Sequence, residues 1–431
     1  MLQPSLLLQG LGAQHDAFPK KEGEISFWPV LRKYAPKNPF MFLYLTLHFN
    51  IPAGLVITNS IMASDSSLTG PVLVIGGCGL LGYHIVKQLV ETSDASDVTV
   101  LDVTINANCV PGAKYVKGSV SSRSDVLTVL QQAKPRVIIQ TASPKLMGQS
   151  NSRKLFEEVN ISGTRNLLDC IYGTGFTNVL VYTSSTSVVH DNCTDLVNVT
   201  ESLPLYFEPE QKEFYSHTKA VAEDMIRTAN RQNGLLTTVL RANTLFGEGD
   251  TLSIPAIVEN AKAGRGKFQV GNGMNLFDFT YAGNTAYAHI LAAKALLRES
   301  TADMPTQDQS KVNGEAFAIT NDDPWPFWDF TRAVGAAAGY PVKKEDIWVV
   351  PEYLYYTIAV IAEWVVWAFS FGRKESRINR KMVRYATMTR TFDITKAKER
   401  LGYRPQVSMQ EGIKRGVNWY LSNSSDSKKA R

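Results

Sequence analysis

The stretch Val74-Ile-Gly-Gly-Cys-Gly-Leu-Leu-Gly82 decides the fold of this chain. The apolar residues 72–75 are typical of a short buried strand, and the apolar-periodic residues 80–90 predict a helix directly after the turn. Glycines at 76, 79 and 82 let the backbone turn tightly, so that a pyrophosphate can lie against the N-terminus of the helix. The sequence therefore predicts the first strand, turn and helix of a dinucleotide-binding domain.

The alternation of strand and helix continues beyond this turn. Further strands are predicted at residues 97–102, 114–117, 136–140 and 178–183, and helices at residues 123–133 and 160–172. Strands that alternate with helices form a parallel sheet that is covered on both faces. We therefore predict an α/β fold, namely a Rossmann-type, doubly wound parallel sheet with a smaller C-terminal substrate lobe.

This pattern divides the chain into three predicted parts. Residues 71–245 form the nucleotide-binding domain, and residues 246–425 form the substrate lobe. Residues 1–70 precede both as an N-terminal extension, for which three interpretations stay open. It contains a membrane anchor at the apolar residues 40–57, it packs on the domain, or it lies upstream of a true start at Met62 rather than Met1.

The composition excludes several classes of protein. The 431 residues include 45 basic and 40 acidic side chains, so the net charge of +5 is small and spread along the chain. This indicates no nucleic-acid partner. The four cysteines lie far apart with no Cys-x-x-Cys pair, which predicts neither a disulfide framework nor a metal site and favours a reducing compartment.

The most hydrophobic segment is the predicted helix at residues 353–371, which carries aromatic residues at both ends. Its single acid, Glu363, lies in the middle, where a charge is costly in lipid. We therefore expect a helix that lies on or dips into a membrane surface rather than a full span. An amphipathic helix buried in the C-terminal lobe is the alternative.

An acidic residue predicts which dinucleotide binds. Asp102 ends the second predicted strand, twenty residues after Gly82. A carboxylate there accepts hydrogen bonds from the adenine ribose and repels a 2′-phosphate, which favours NAD over NADP.

Tyr215 and Lys219 supply the predicted chemistry. Their spacing of four residues places both side chains on one helix face. An ammonium favours the phenolate form of a neighbouring tyrosine, and the phenolate can take the proton of an alcohol as hydride leaves its carbon. A hydroxyl that orients the substrate oxygen is available in Tyr182-Thr-Ser-Ser-Thr186, at the end of the fifth strand.

These residues resemble the extended short-chain dehydrogenase/reductase superfamily, within it the 3β-hydroxysteroid dehydrogenase family, and most of all the decarboxylating sterol-4α-carboxylate 3-dehydrogenases of that family. The resemblance extends over residues 72–420. Besides the glycine-rich turn, it is carried by Thr141-Ala-Ser-Pro144, Leu180-Val-Tyr-Thr-Ser-Ser185, Thr218-Lys-Ala-Val-Ala-Glu-Asp224, Leu276-Phe-Asp-Phe-Thr-Tyr-Ala-Gly-Asn284 and Phe392-Asp-Ile-Thr-Lys-Ala-Lys398.

The resemblance implies a set of site residues. The catalytic residues would be Ser185, Tyr215 as the base, and Lys219 as its partner. The residues that it assigns to cofactor binding are Gly76, Gly79, Leu80, Leu81, Gly82, Asp102, Ser119, Thr141, Ala142, Tyr215 and Lys219. The residues that it assigns to the substrate are Ser143, Thr186, Ala242, Asn243 and Thr244.

The chain departs from the family pattern at three places. Where the family usually has Arg-Pro-Ala-Gly-Ile-Phe-Gly-Pro-Gly-Asp, this chain has Arg241-Ala-Asn-Thr-Leu-Phe-Gly-Glu-Gly-Asp250, which leaves the substrate open. The family's Gly-Asp after the third strand is Gly118-Ser119, which is expected to loosen the adenine contact. The usual histidine before Ala-Ser-Pro is replaced by Gln140-Thr141.

The implied reaction is NAD-dependent oxidation of a 3β-hydroxyl on a sterol 4α-carboxylate, which gives a 3-ketone with loss of carbon dioxide. One alternative is a dehydrogenase of a terpenoid or meroterpenoid alcohol in secondary metabolism, and a lower-ranked one combines dehydrogenase with ketosteroid isomerase activity. An alternative of another class is a catalytically silent NAD-binding membrane scaffold. The resemblance also implies the endoplasmic reticulum membrane, an active site on the cytoplasmic side, and a homodimer.

Overall fold

The computed structural model describes residues 68–144, 153–301, 310–371, 373 and 376–429. The predictions for residues 1–67, including the apolar segment 40–57 and the start at Met62, lie outside the described residues. The strands in the described part are β1 (Leu68–Ile75), β2 (Ala95–Asp102), β3 (Lys114–Lys117), β4 (Val137–Gln140), β5 (Val179–Ser185), β6 (Leu196–Val199), β7 (Leu236–Ala242), β8 (Thr244–Phe246), β9 (Phe268–Val270), β10 (Leu276–Phe277), β11 (Phe279–Tyr281), β12 (Ala316–Ile319), β13 (Trp325–Pro326), β14 (Trp348–Val350) and β15 (Arg390–Phe392).

The α-helices of the same residues alternate with these strands. They are α1 (Leu80–Glu91), α2 (Arg123–Ala133), α3 (Arg153–Phe156), α4 (Gly163–Thr174), α5 (Phe214–Thr228), α6 (Ser253–Lys262), α7 (Ala282–Thr301), α8 (Phe327–Ala337), α9 (Glu352–Ser370), α10 (Arg380–Thr387), α11 (Thr395–Arg400) and α12 (Met409–Lys429). A π-helical segment, Glu157–Ser162, joins α3 to α4, so the predicted helix at 160–172 starts earlier than its apolar pattern indicated.

The main sheet has seven parallel strands in the order β12-β7-β5-β4-β1-β2-β3. This confirms the predicted doubly wound fold, and the five predicted strands coincide with β1 to β5 apart from small displacements of their ends. The strand order reverses direction at the neighbours β1 and β4. In open parallel sheets, ligands bind outside the carboxyl ends of the strands at such a reversal.

Helices cover both faces of this sheet. On one face, Ile85 and Leu89 of α1 are fully buried in a cluster that includes Leu296 of α7. On the other face, Leu130 of α2 and Leu167 of α4 belong to a second buried cluster. Full burial of one such side chain stabilises the fold by about 1.5–3 kcal/mol, so these two layers hold the sheet that carries the site.

A smaller sheet has the order β13-β10-β15-β6, in which β6 comes from the part before residue 245 and the other three strands from the part after it. Aromatic side chains form the adjoining core, in which the rings of Phe279 and Phe330 stack at 3.7 Å. Two elements beyond residue 245 belong to the main layers, because β12 extends the large sheet and α7 packs on α1. The boundary between residues 245 and 246 stays a prediction.

Helix α9 exposes most of its apolar side chains. Only Ala359 of this helix is buried within the described part of the chain, whereas Trp364 is 66% and Phe369 86% exposed. Among the described helices, α9 is long and apolar enough to cross a membrane. The charge of Glu363 is paired, because the backbone N and the Nε of Arg380 each donate to its carboxylate at 2.7 Å.

Candidate active site

The glycine-rich turn has no room for side chains at two of its positions. Gly76 has a φ of +82°, which favours glycine, and a Cβ there would lie 2.6 Å from the backbone N of Ala142. A Cβ on Gly82 would lie 2.1 Å from the carbonyl oxygen of Gly76. Glycine at both positions therefore lets β1, α1 and the end of β4 approach closely, which leaves the N-terminus of α1 open to an anion.

Asp102, at the end of β2, lies beside this turn. Its Oδ2 accepts a hydrogen bond from the backbone N of Cys78 at 3.0 Å, and its Oδ1 accepts one from Thr104 N at 3.1 Å. These bonds hold the carboxylate at the carboxyl edge of the sheet, next to the cradle of the glycine turn. The turn and the acid together fit a dinucleotide, because the turn can receive a pyrophosphate and the acid can receive ribose hydroxyls.

The remaining residues predicted to bind the cofactor line the same edge. Thr141 directly follows β4, and its Oγ1 donates to the carbonyl of Ile75 at 2.9 Å. Ser119 follows β3, and its backbone N donates to Asp125 Oδ2 at 2.9 Å. The carboxylate of Asp125, six residues further on, is thus used to fix the loop that carries Ser119 in this chain.

Lys219 lies on α5 and is almost completely buried, with 2% of its surface exposed. Its Nζ donates to the carbonyl of Thr183 at 2.6 Å and to the hydroxyl of Tyr182 at 3.1 Å. Burial lowers the pKa of Lys219 to about 7, and the carboxylate of Glu223 acts in the opposite direction. The ammonium is therefore held against the end of β5, one helical turn from Tyr215.

Tyr215 is half-buried on the same face of α5. Burial raises the pKa of its phenol, while a hydrogen bond with Ser185 and the charge of Arg390 lower it. Ser185 in turn is 2.9 Å from Ser187 through their hydroxyl oxygens. The structure therefore brings together Ser185, Tyr215 and Lys219, the three residues that the sequence assigned to catalysis.

A polar cluster that includes Thr186 and Asn243 lies next to this group. Thr186 Oγ1 donates to Asn243 Oδ1 at 3.1 Å and accepts from Arg390 Nη2 at 3.0 Å. The neighbouring Thr244 shares a hydrogen bond of 2.9 Å with the hydroxyl of Tyr385. Sequence reasoning missed Arg390 and Tyr385. The only signal was the family-like tail, which begins two residues after Arg390 and carried no role for it.

Two buried donors of this cluster have no partner among the described residues. They are Nε of Arg390, whose residue is 6% exposed, and Nδ2 of Asn243, whose residue is 5% exposed. A buried donor without an acceptor is costly, and native structures usually satisfy it with a ligand or water. A ligand that accepts hydrogen bonds, and especially an anion, can therefore bind to this cluster beside Tyr215.

Two residues that the resemblance assigns to the substrate, and one from the stretch that departs from the family pattern, contact the following neighbours. Ser143 donates to Asn160 Oδ1 at 3.1 Å, and Ala242 is buried in register with Ser185. Glu248, one of the departures from the family pattern, accepts a hydrogen bond from Tyr281 at 2.8 Å and lies 3.7 Å from His84. Glu248 therefore helps to pack α1 against the loop after β8.

The sequence and fold were compared with known proteins. Residues 73–350 match the model of the 3-beta hydroxysteroid dehydrogenase/isomerase family. The chain is 36% identical over 361 residues, 81% of its length, to the decarboxylating sterol-4-alpha-carboxylate 3-dehydrogenase of Saccharomyces cerevisiae, of which 97% is covered. It is 33% identical over 346 residues to the human protein of that name, with 80% of this chain and 86% of the human chain covered.

The fold is also similar to solved structures. The UDP-glucose 4-epimerase of Thermus thermophilus, in complex with NAD, matches with a TM-score of 0.59 and 20% identity over 81% of this chain and 98% of its own. This likeness shows the fold alone. The match of the family model and the identity to these relatives extend to the site: the chain belongs to the 3-beta hydroxysteroid dehydrogenase/isomerase family.

Proposed function

We propose that this protein is an NAD-dependent dehydrogenase that oxidises the 3β-hydroxyl of a sterol 4α-carboxylate, with loss of the carboxylate as carbon dioxide. The observation that supports a carboxylated substrate is the buried guanidinium of Arg390. Among the described residues its Nε–H has no partner, and its charge lies close enough to Tyr215 to lower the pKa of the phenol. An anion next to the reacting alcohol is what such a guanidinium would bind. The names of the yeast and human relatives support the same substrate.

Each of the three catalytic side chains has a separate role at the substrate alcohol. Ser185 orients the 3β-hydroxyl by hydrogen bonding, and Tyr215 takes its proton as general base. Lys219 stabilises the phenolate of Tyr215 through its charge, because the ammonium is buried and solvent screens it little. When bound, the nicotinamide supplies the acceptor for the hydride that leaves the carbinol carbon.

Decarboxylation needs little from the protein beyond position. Once the 3-hydroxyl has become a ketone, the substrate is a β-keto acid. The bond between C4 and the carboxylate breaks, its electron pair moves to the new carbonyl as an enolate, and carbon dioxide leaves. The enolate then takes a proton from water at C4 to give the 3-ketone. Tyr215, now protonated, can donate a hydrogen bond to the enolate oxygen, and Arg390 holds the carboxylate until it leaves.

Asp102 supports NAD rather than NADP as the dinucleotide. Its carboxylate stands at the end of β2 and is fixed by Cys78 and Thr104, so it cannot easily turn away from a 2′-phosphate. Repulsion and desolvation would then weaken NADP binding.

Helix α9 supports association with a membrane surface. Its outward aromatic and aliphatic side chains match a helix that lies in the interfacial region, where tryptophan and tyrosine are favoured. Pairing of Glu363 with Arg380 reduces the cost of bringing this carboxylate close to lipid. We place the enzyme at the endoplasmic reticulum membrane with its active site on the cytoplasmic side, as a homodimer. The family resemblance is the support for the location and the dimer.

The decisive experiment is an assay of the purified full chain with a 4α-carboxysterol. NADH formation is followed together with mass spectrometry of the product, and NADP is tested in parallel. A 3-ketone that lacks the mass of carbon dioxide is the expected product. A ketone formed only from terpenoid alcohols without a carboxylate would overturn the proposed substrate. It would favour the second candidate, a dehydrogenase of terpenoid or meroterpenoid alcohols. Asn243, which stands where the family usually has alanine, is the observation that favours this candidate.

A further inference from the structure

Three consecutive residues at the end of β5 each contact a different residue of one face of α5. Positions 215, 219 and 223 are four residues apart and therefore share that face. Thr183 O accepts from Lys219 Nζ at 2.6 Å, Ser184 Oγ donates to Glu223 Oε2 at 2.7 Å, and Ser185 lies close enough to Tyr215 to lower the pKa of its phenol. Two of the helix residues are already assigned to the reaction. The third, Glu223, has no role in it so far.

Glu223 is completely buried and fully bonded. Its Oε1 accepts from Nη2 of Arg241 at 2.7 Å, and Nε of Arg241 also donates to the carboxylate, at 3.1 Å from Oε1. Arg241 belongs to β7, lies in register with Ser184 of β5, and is 2% exposed. A buried pair of this kind is weak evidence for stability, since its desolvation offsets much of its attraction. Its place on the reactive face of α5 points to another role.

The partners of Glu223 keep it from capturing Lys219. Arg241 and Ser184 occupy the carboxylate, and no ion pair within 4.0 Å joins Glu223 to Lys219 among the described residues. The ammonium of Lys219 donates to Tyr182 and Thr183, which leaves one of its three N–H groups for a ligand. The negative charge one turn away nevertheless favours the ammonium form against the burial that opposes it.

We propose that Glu223 is a positioning residue for the dehydrogenase reaction, which acts through Lys219 by favouring its ammonium form without occupying its third N–H. The proposal rests on the proposed function. Arg241 and Ser184 hold the carboxylate at the distance at which it stabilises the charge without consuming a donor. In the proposed function, Lys219 supports the phenolate of Tyr215 through its charge, so the signature of this role is the pH at which Tyr215 becomes a base.

Several other titratable or charged groups lie around Lys219 and Tyr215, and the test below leaves them unchanged. They are Tyr182 of β5 against Lys219, Arg390 of β15 against Tyr215, and His289 of α7, which bonds Thr183 Oγ1 and is neutral because burial lowers its pKa to about 4.

The test removes both charges of the buried pair. Glu223→Gln alone would leave Arg241 buried without a partner, so the double variant Glu223→Gln/Arg241→Met is used, because it leaves no unpaired charge. In the double variant, the rising limb of the pH profile of kcat for sterol oxidation should move up by about one pH unit, because Tyr215 loses support from Lys219. Tyrosinate formation in the cofactor-free protein, followed by ultraviolet difference spectroscopy and identified with Tyr215→Phe, should move the same way.

A matched control separates this effect from destabilisation. The ion pair of Lys294 with Asp94, at 2.7 Å and with side chains 17% and 13% exposed, lies away from α5. The variant Lys294→Met/Asp94→Asn should lose stability and keep the wild-type pH profile. An unshifted profile and titration in the Glu223 variant would overturn the proposal. If the wild type oxidises no sterol, the proposed function fails, and the tyrosinate titration alone still decides the role of Glu223.

Discussion

Replacing Arg390 with methionine should abolish the preference for a carboxylated substrate. Arg390 is 6% exposed, so a substrate carboxylate bound to its Nε would be almost free of solvent screening. Removing one partner of a buried, hydrogen-bonded charge pair costs about 2–5 kcal/mol. At about 1.4 kcal/mol for each factor of ten, the expected loss in kcat/KM is roughly 30-fold to several thousand-fold.

The assay compares two substrates on each variant. One is a 4α-carboxysterol, and the other is the same 3β-hydroxysterol without the carboxylate. Arg390 also donates to Thr186, so part of any loss will be structural and common to both substrates. The ratio of the two kcat/KM values removes that part. Arg390→Lys keeps the charge but loses the planar fork, and it should retain an intermediate preference.

A single result would refute this reasoning. If Arg390→Met lowers kcat/KM equally for both sterols, Arg390 only supports the cluster around Thr186 and does not bind the carboxylate. A preference of the wild-type enzyme for the sterol without the carboxylate would likewise show that Arg390 does not bind a substrate carboxylate.

Four further predictions follow from the site and the surface. Tyr215→Phe should lower kcat about 100- to 10,000-fold while NADH still binds in a fluorescence titration, and loss of binding would contradict a purely chemical role. Asp102→Ala should raise kcat/KM with NADP relative to NAD, and an unchanged ratio would place the discrimination elsewhere. His289, whose pKa burial lowers from 6.5 to about 4, stays neutral when folded, so its contribution to stability is complete above pH 6.5 and is lost as the pH falls towards 4. At pH 5 the loss is about 2 kcal/mol, and chemical denaturation at pH 7 and pH 5 should show a smaller difference in His289→Gln than in wild type. Trp364→Ser/Trp367→Ser should weaken co-sedimentation with phospholipid vesicles but leave oxidation of a detergent-dispersed sterol intact, and unaltered sedimentation would argue against α9 as the contact.

The features that sequence reasoning predicted well are those with a short-range signature. The strand, glycine turn and helix around Gly82 follow from steric rules and hydrophobic periodicity within about twenty residues. Tyr215 and Lys219 lie on one face of α5, because residues four positions apart in a helix project from the same face. In each case a local pattern contained the geometry.

The features that were missed depend on contacts between distant segments. Arg390 reaches Thr186 from β15, and no periodicity connects the two. Glu248 belongs to the stretch that departs from the family pattern, and its contacts with Tyr281 and with His84 of α1 come from segments distant in the sequence. The charge of Glu363 argued against a full membrane span, and no local pattern indicated that Arg380, seventeen residues later, pairs with it. Composition and spacing say nothing about such pairs.

If the exposed apolar surface of α9 holds the enzyme at a membrane, as proposed above, it has a kinetic consequence. An enzyme held at a bilayer meets a sterol by lateral diffusion within the plane of the lipid, so its effective substrate concentration is a mole fraction rather than a molarity. Adding phospholipid at constant total sterol would then dilute the substrate and slow turnover, although the amounts of enzyme and sterol stay the same. The outward side chains of one helix would thus make the composition of the membrane a variable in the rate law.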